Sequence, residues 1–532
     1  MSQPRILIFI PTFNESGNVE RMVRELSALN LDADILFLDD NSPDGTGLLL
    51  DDMAHRIPRL SVVHRQGKQG IGSAHQVGIA RAYEGGYNVL VTLDCDFTHD
   101  PKDIPRLLSA LNENDIAVGS RYMGAKSLPG WNLMRRSLTR FGHFLTSTLL
   151  GMPQDASGAF RAYDLRRIPR ELFGLVSSKS YPFFFESLFV LVRNDMQVKE
   201  ISIILPARTY GHSKLTFKEA WRGGLHLLRL WLENLAHPER FRLGRPVDCV
   251  LDECPATDWD AYWAKKQSAG ALAYEVVAAL YRKLFIRPNL VRALRRHLGP
   301  DARIMHAGCG SGQADVDLHE RFNVTAVDIS LEGLALYSRN NPHAQAVRQA
   351  DIFRLPFESG TFDGVFNLGV MEHFDETQIQ DLLREFSRVL KHDGRIILFW
   401  PHARATSVFV LRAVHFVMSA VLGIKNRLHP EEITLLEGRG QALEMFDQAG
   451  LKLVDYQFGW RDLFVQAVVV GRRPERGVSS VRFLWLRELR RRFFLTMSCT
   501  VRVQARQSAD APASAAGRSS LLRAMRLFTS HR

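Results

Sequence analysis

Short apolar segments alternate with helical patterns through the first 120 residues of the chain. The segments RILIFI, ADILFLDD, LSVVH, YNVLVTLD and DIAVGS begin at residues 5, 33, 60, 87 and 115. Between them, apolar positions recur at helical spacing over residues 17–29, 46–56, 72–84 and 101–111. Strands that alternate with helices in this way predict an α/β domain built on a parallel sheet. Longer amphipathic helical patterns follow at 131–150 and 214–236.

A second run of alternation begins after a Pro-rich segment of mixed charge that has no hydrophobic period. The segments ARIMHAG, FNVTAVDI, HAQAVRQA, TFDGVFNLG, GRIILFWP and LFVQAVVVG predict the strands of another α/β domain. Helical patterns at 271–298, 377–390 and 439–449 lie before and between these strands. We therefore predict a first domain at 1–240, a linker at 241–256, a second domain at 257–475, and a basic, partly disordered tail at 476–532.

The positive charge of the chain is concentrated in the tail. From Arg472 onward the sequence has fourteen Arg and three acidic residues, which accounts for the whole net charge of +11. In the segment VRFLWLRELRRRFF, aromatic and Leu residues interleave with Arg, as they do in helices that lie on anionic lipid. Nucleic acid could use the same charge, but the sequence shows no nucleic-acid-binding motif. We therefore expect an anionic membrane surface as the partner, and no nucleic acid.

Cysteine usage and one apolar run bear on the compartment. The five cysteines, at 95, 249, 254, 309 and 499, show no zinc-site or disulfide spacing, which favours a reducing compartment. The first residues lack the pattern of a signal peptide. The run 405–424 is about long enough to span a bilayer, but Arg412 lies near its middle and is costly in lipid. We expect a lid or interfacial helix there, in a cytoplasmic protein peripheral on the inner face of the membrane.

Acidic residues follow three predicted strands of the first domain. Glu15 follows the first strand, Asp40 ends the second, and Asp94 and Asp96 end the fourth. The carboxyl ends of parallel strands meet at one edge of a sheet, where open α/β sheets bind ligands. Hard cations such as Mg²⁺ or Mn²⁺ bind both carboxylates and diphosphate oxygens. The pattern therefore predicts a cation, held by Asp94 and Asp96, that stabilises the departing diphosphate of a nucleotide.

Seven ordered blocks make this prediction more specific than a lone D-x-D, which is more often a pair of ordinary loop acids. They are PTFNE, LDDNSPDGTG, GKQGIGSA, TLDCDFTHDP, GSRYMG, SGAFRAY and YGHSK, within residues 5–235. Together they resemble the dolichol-phosphate (polyprenyl-phosphate) mannosyltransferases, inverting enzymes of glycosyltransferase family 2 with a GT-A fold. The resemblance implies transfer of a hexose, mannose from GDP-mannose, from a nucleotide-sugar donor to polyprenyl phosphate. Transfer to a hydroxyl acceptor stays open as the alternative.

The resemblance also implies roles for individual residues. The catalytic set is Asp94, Asp96, Arg208 and Lys214, and the metal ligands for Mg²⁺ or Mn²⁺ are Asp94, Asp96 and Thr98. Contacts to the donor nucleotide are implied for Pro11, Phe13, Glu15, Leu38, Asp40, Cys95, Thr98 and Arg121. Contacts to the acceptor phosphate are implied for Arg135, Thr139, Arg208 and Lys214. A lipid phosphate is already anionic near neutral pH, so it needs positioning by such basic groups rather than a general base.

A Gly-rich turn follows the first predicted strand of the second domain. Gly308, Gly310 and Gly312 let a ligand approach the backbone closely, and Asp328 ends the next strand, where it could bind a ribose diol. A dinucleotide-binding fold makes the same prediction. Asp351 at the third strand end and the segment FDGVFNLGVMEHF separate the alternatives, because together they resemble class I S-adenosylmethionine-dependent methyltransferases over residues 300–400.

That second resemblance implies S-adenosylmethionine as a cofactor, bound by Gly308, Gly310, Gly312, Asp328, Asp351 and Asn367. His306 stands where many members have Asp or Glu, so a non-catalytic or regulatory module is the alternative. Glu372 and His373 are expected near the substrate, where His373 could serve as the base in methyl transfer; the alternative is that the segment MEHF begins a helix that packs under the cofactor. The expected acceptor is a glycan or a lipid-linked molecule. The sequence thus predicts a bifunctional enzyme, a GT-A domain followed by a Rossmann-like class I methyltransferase domain.

Overall fold

The computed structural model describes residues 4–124, 127–131, 133–206, 217–249, 258–266, 272–406, 408, 432–459 and 464–474. The described residues up to Arg473 form one compact unit. The predicted tail, most of the run 405–424, Arg208 and Lys214 lie outside the described residues. The backbone of Arg135 is described, but its side chain is not. No helix within the described residues is long and apolar enough to cross a membrane.

Among the described residues, seven strands form the first sheet, in the order β3-β2-β1-β4-β6-β5-β7. They are β1 (Ile6–Thr12), β2 (Ala33–Asp39), β3 (Leu60–His64), β4 (Val89–Thr92), β5 (Ile116–Ser120), β6 (Arg161–Asp164) and β7 (Val198–Ser202). The helices of this part are α1 (Val19–Ala28), α2 (Thr46–Arg56), α3 (Ile71–Glu84), α4 (Ile104–Ala110), α5 (Leu133–Leu150), α6 (Arg170–Gly174), α7 (Phe183–Arg193) and α8 (Phe217–Ala236).

Helices cover both faces of this sheet, which is why its central strands are continuous apolar runs in the sequence. Successive side chains of a strand point to opposite faces, and β1 shows the consequence. Leu7 and Phe9 enter a core with residues of α3, α7 and α8. Ile8 and Ile10 enter a second core with residues of α1, α2 and α4. The sheet is therefore the middle layer of three.

The first sheet is mixed, whereas the alternating pattern predicts a parallel one. β6 runs antiparallel to both β4 and β5, while β1, β2, β3 and β4 are parallel neighbours. The sequence of β6 is RAYD, and all its residues are buried. Arg161 donates there to the Gly158 carbonyl and to Ser187 Oγ, and Asp164 accepts from Arg166. A strand with charged residues at both ends has no apolar signature, so the sequence does not reveal it.

Eight strands of the described residues form the second sheet, in the order β14-β15-β13-β12-β9-β10-β11-β8. They are β8 (Asp248–Cys249), β9 (Arg303–Ala307), β10 (Asn323–Asp328), β11 (Ala346–Gln349), β12 (Phe362–Leu368), β13 (Leu390–Trp400), β14 (Lys452–Gln457) and β15 (Ala467–Arg472). The helices are α9 (Asp258–Lys266), α10 (Leu272–Tyr281), α11 (Arg287–His297), α12 (Leu331–Asn340), α13 (Glu376–Val389) and α14 (Arg439–Gln448). A π-helical segment, Arg282–Ile286, joins α10 to α11.

The order of the second sheet fixes where a ligand can bind. β9 pairs in parallel with both β10 and β12, so the chain reverses its direction of travel across the sheet at β9. Crevices at such reversal points are the usual ligand sites of open α/β sheets. β15 is antiparallel to β13 and β14, which makes this sheet mixed as well. β8, inside the predicted linker, pairs with β11 at the sheet edge; the domain boundaries otherwise stay a prediction.

The two sheets are joined through α8 and the loops around it. α8 packs against α10, and Arg242 donates from Nη1 to the backbone carbonyl of Asn340 at 2.7 Å. Gln313 donates from Nε2 to the carbonyl of Ala236, the last residue of α8, at 3.1 Å. The glycine turn of the second sheet is therefore bonded to the end of a helix that belongs to the first.

Candidate active sites

The acid-bearing loops of the first sheet lie side by side, because β2, β1 and β4 are parallel neighbours. The backbone N–H of Asn14 donates to Ser42 Oγ at 3.0 Å, and that of Ser16 donates to Asp44 Oδ2 at 3.0 Å. Burial opposes ionisation of Asp44, but hydrogen bonds from Thr46 and Ser16 outweigh it and lower its pKa. The loop after β1 and the loop after β2 are thus tied into one rigid rim.

Asp40 lies at this rim and is paired with a residue that the sequence analysis did not single out. Arg65, which follows β3, donates from Nε to Asp40 Oδ1 at 2.5 Å and from Nη2 to Oδ2 at 2.7 Å. Both side chains are buried. Arg65 also donates from Nη1 to Ser73 Oγ at 2.7 Å. Glu15 lies nearby, half-buried, and its Oε2 accepts from Asn18 Nδ2 at 2.7 Å.

The other residues expected at the donor nucleotide fall into two groups. The side chains of Leu38 and Cys95 are buried in the two hydrophobic cores, so these residues can meet a ligand only through their backbone. Phe13 and Pro11 are half-buried at the rim. The Lys68 ammonium lies 5.3 Å from the centre of the Phe13 ring, a cation–π contact at the mouth of the crevice.

The paired acids lie in a tight turn after β4. Phe97 has φ of +56°, a left-handed conformation that is unusual for an aromatic residue. Asp96 is buried, and its Oδ1 accepts from the backbone N–H of Thr98 at 3.1 Å and from Thr98 Oγ1 at 2.6 Å. Asp94 is partly exposed, and its backbone N–H donates to Nδ1 of buried His99 at 3.1 Å. Among the described residues no group of three or more His, Cys, Asp or Glu side chains could hold a metal ion.

Arg121 follows β5 and is held by a buried acid. Its Nε donates to Asp155 Oδ2 at 2.8 Å, and its backbone N–H donates to the same oxygen at 3.2 Å. Burial alone would lower the pKa of Arg121, but the charge of Asp155 raises it overall, with a further contribution from Asp94. The same attraction outweighs burial and lowers the pKa of Asp155. Since β5 runs in the same direction as β4, Arg121 and the paired acids share one edge of the sheet.

The residues expected at the acceptor phosphate are only partly described. Arg208, Lys214 and the Arg135 side chain fall outside the described residues. Thr139 lies on α5, where its backbone carbonyl accepts from Tyr122 Oη at 3.1 Å. The Tyr122 ring also stacks on a histidine of α5 at 4.1 Å. Tyr122 therefore connects α5 to the loop that carries Arg121.

The glycine turn after β9 adopts a backbone that only glycine forms readily. Gly308, Gly310 and Gly312 have φ of +69°, +50° and +61°. A Cβ on Gly310 would lie 2.5 Å from the Trp263 ring of α9. Asp328 closes the turn, because its Oδ2 accepts from the Gly310 N–H at 2.7 Å. Burial raises the pKa of Asp328.

A cavity of about 920 Å³ lies between this turn, α10 and the loop after β12, bounded by described residues. Ligand pockets commonly measure roughly 300–1,000 Å³, so this one can hold a nucleoside and a second ligand. Asp328 and Asp351 line it together with the glycines, and aromatic and aliphatic residues of α9 and α10 form its other wall. Asn367 is fully buried on β12, and neither polar atom of its side chain has a hydrogen-bond partner among the described residues.

Two titratable residues follow β12 at the inner end of the cavity. Glu372 is buried, and its Oε2 has no hydrogen-bond partner among the described residues. Burial, together with the charge of Glu432, raises the pKa of Glu372 to about 8. His373 is half-buried, with its ring 5.1 Å from the ring of Trp259. Both residues line the cavity.

Two family models match parts of the chain: Glycosyl transferase family 2 over residues 7–168 and Methyltransferase domain over residues 305–398. A polyprenol monophosphomannose synthase of Mycolicibacterium smegmatis is 34% identical over 215 residues, which are 40% of this chain and 81% of that protein. An undecaprenyl-phosphate mannosyltransferase of Micrococcus luteus is 32% identical over 213 residues, which are 40% of this chain and 88% of that protein. A solved TehB-like SAM-dependent methyltransferase from Corynebacterium glutamicum is 20% identical, has a TM-score of 0.29, and covers 40% of this chain and 99% of its own.

Proposed function

We propose that this chain, which belongs to glycosyltransferase family 2 and carries a methyltransferase domain, transfers mannose from GDP-mannose to a polyprenyl phosphate with inversion. Its relatives include polyprenyl-phosphate mannosyltransferases. One observation supports the proposal most directly. Asp94, Asp96 and Arg121 lie at the same edge of the first sheet. There the two acids would bind a metal ion and Arg121 would bind a phosphate, and both groups would contact the same diphosphate-linked donor.

The residues at this edge fit a divalent cation that is shared with the donor. Asp94 and Asp96 supply two carboxylates from one turn, and diphosphate oxygens of the donor would supply further ligands. A bound Mg²⁺ or Mn²⁺ would neutralise charge on the departing diphosphate. The Arg121 guanidinium is fixed by Asp155 and interacts electrostatically with Asp94, and its delocalised charge would suit a phosphate at this edge. Thr98 holds the Asp96 carboxylate in place.

We place this reaction at the cytoplasmic face of an anionic membrane, with α5 and α8 in contact with lipid. Each helix carries large apolar side chains that are exposed. They are Leu133, Met134, Leu138, Phe141 and Phe144 on α5, and Trp221, Leu225 and Leu228 on α8. The charged residues of α5 are all Arg. An apolar face bordered by Arg is the composition of an interfacial helix on anionic lipid, where a polyprenyl phosphate resides.

The second activity that we propose is methylation of a glycan or lipid-linked acceptor with S-adenosylmethionine. The glycine turn, Asp328 and Asp351 line a cavity at the reversal point of the sheet, as a nucleoside cofactor requires. The bound cofactor would supply an activated methyl group. Glu372 is a candidate base beside His373, because both line the cavity and a pKa of about 8 leaves a fraction of the Glu372 carboxyl ionised near neutral pH, able to take the acceptor proton.

A radiolabelled sugar-nucleotide assay tests the proposal. The full chain, GDP-[¹⁴C]mannose, polyprenyl phosphate and Mg²⁺ should give an organic-soluble mannolipid, and Asp96→Ala should abolish it. Asp52→Ala, an exposed acid on α2, is the matched control and should leave turnover unchanged. Undiminished turnover by Asp96→Ala would refute the metal assignment. Adding labelled S-adenosylmethionine to the same mixture shows whether the mannolipid accepts a methyl group.

The same assay tests a hydroxyl acceptor, which is the alternative for the first domain. Alkyl mannosides replace polyprenyl phosphate in parallel reactions. Product formed only with the alkyl mannoside would replace the lipid-phosphate proposal with transfer to a hydroxyl, for which a general base would then be required.

A further inference from the structure

The cavity of the second domain contains a buried pair that the sequence analysis did not predict. His306, on β9 just before the glycine turn, occupies a position where a carboxylate is usual in the class I methyltransferases that the domain resembles. Its side chain is 2% exposed, lines the cavity, and stacks on Phe366 with ring centres 4.4 Å apart. The ring therefore has one fixed orientation.

Asp315, beyond the glycine turn, supplies a carboxylate to the same place. It is 2% exposed and also lines the cavity. Its Oδ2 accepts from His306 Nδ1 at 2.6 Å and from Tyr337 Oη at 2.8 Å. Since a carboxylate can only accept, His306 carries a proton on Nδ1 and turns Nε2 away from Asp315.

Two polar atoms of this pair remain unsatisfied. Neither Asp315 Oδ1 nor His306 Nε2 has a hydrogen-bond partner among the described residues. A buried carboxylate oxygen without a donor is costly, and most buried polar atoms in folded proteins are paired. The carboxylate of this pair thus has a vacant acceptor oxygen at a cavity that can hold a nucleoside and a second ligand.

We propose that Asp315 Oδ1, oriented by His306 and Tyr337, binds the α-ammonium group of the methionine end of S-adenosylmethionine. Asp315 thereby takes the role that the acid expected at position 306 would have. This inference rests on the proposed cofactor of the second domain. An ammonium group suits the site because it has three N–H donors and a positive charge. It can therefore donate a hydrogen bond to Asp315 Oδ1 and neutralise the charge of the carboxylate.

Isothermal titration with two nucleosides tests the proposal on the full chain. S-adenosylhomocysteine has the amino-acid end, and 5′-methylthioadenosine lacks it. Asp315→Asn should weaken S-adenosylhomocysteine binding roughly 10- to 100-fold, the range for hydrogen bonds to charged groups. It should leave 5′-methylthioadenosine affinity unchanged. Asp317→Asn is the matched control, because that exposed acid pairs with Arg287 outside the cavity, and it should change neither affinity.

The outcomes separate this inference from the cofactor proposal. Wild-type protein that binds neither nucleoside would refute both. Wild-type binding that survives Asp315→Asn, or an equal loss for both nucleosides, would overturn the role of Asp315. If circular dichroism shows that Asp315→Asn is unfolded, the wild type is titrated with desamino-S-adenosylhomocysteine instead. Equal affinity for the amino and desamino compounds would overturn the proposal, and at least roughly tenfold weaker binding of the desamino compound supports it.

Discussion

Replacing Glu372 by Gln should stabilise the ligand-free protein, and the gain should grow with pH. The Glu372 carboxyl is buried and has no cationic partner within the described part of the chain, and its pKa is raised from 4.5 to about 8. Between these two values the unfolded chain has lost the proton while the folded chain keeps it. Folded protein then binds more protons than unfolded protein, so its stability falls as pH rises. Gln has nearly the same shape and never ionises.

The magnitude follows from the size of the shift. Each unit of pH between the two pKa values costs about 1.4 kcal/mol. At pH 7 the distance from 4.5 is 2.5 units, so wild type loses about 3 kcal/mol relative to a neutral side chain. At pH 5 the same reasoning gives less than about 1 kcal/mol. The difference between Glu372→Gln and wild type should therefore widen from pH 5 to pH 7 and level off above pH 8.

Urea unfolding at pH 5, 6, 7 and 8 measures this difference. Tryptophan fluorescence is a suitable signal, because Trp400 is fully buried on β13 and donates to the carbonyl of Thr434 at 2.9 Å. Glu358→Gln, an exposed glutamate of the same domain, serves as the control and should show no pH-dependent gain. A constant offset between Glu372→Gln and wild type at all four pH values would refute the reasoning, since it would mean that Glu372 is ionised in the folded protein.

Two further predictions concern the first domain. Asp155→Asn should lower mannosyl transfer roughly tenfold, because Arg121 loses its buried counter-charge. The kcat and KM of the variant check this, and unchanged values for both would contradict a role of the Arg121–Asp155 ion pair in transfer. Phe141→Glu on α5 should weaken sedimentation with phosphatidylglycerol vesicles roughly tenfold, by removing apolar contact and adding negative charge. The control is Leu48→Glu, an exposed apolar residue on α2; equal losses for both variants would contradict a specific lipid-facing role of α5.

Most of the fold could be predicted from the sequence because its strands are short apolar runs between helices. The predicted strand LSVVH coincides with β3, and the pattern at 46–56 coincides with α2. The failures have a common cause. β6 has charged residues at both ends, and β8 is two residues long. The local sequence pattern does not reveal either strand, because each is held in place by pairing with strands that are distant in the sequence.

The site residues divide in a similar way. The positions of Asp40, Asp94 and Gly310 at strand ends follow from sequence, since strand ends and glycine turns have local signatures. Their partners do not. Arg65 reaches Asp40 from 25 residues away in the sequence, and Asp155 reaches Arg121 from 34. No spacing rule predicts such pairs, because the geometry of the completed sheet sets them.

These partners decide what each buried acid can do. Asp40 has both oxygens occupied by the Arg65 fork, so it can orient Arg65 toward a nucleotide but has limited capacity to accept from one. Asp315 and Glu372 each keep an oxygen without a donor among the described residues. An unsatisfied buried carboxylate destabilises the protein unless a ligand or a proton completes it. The proton that Glu372 keeps below about pH 8 can complete its carboxyl, so Asp315 is the acid whose vacant oxygen is better explained by ligand binding than by packing, and this argues for a methyltransferase domain that binds its cofactor.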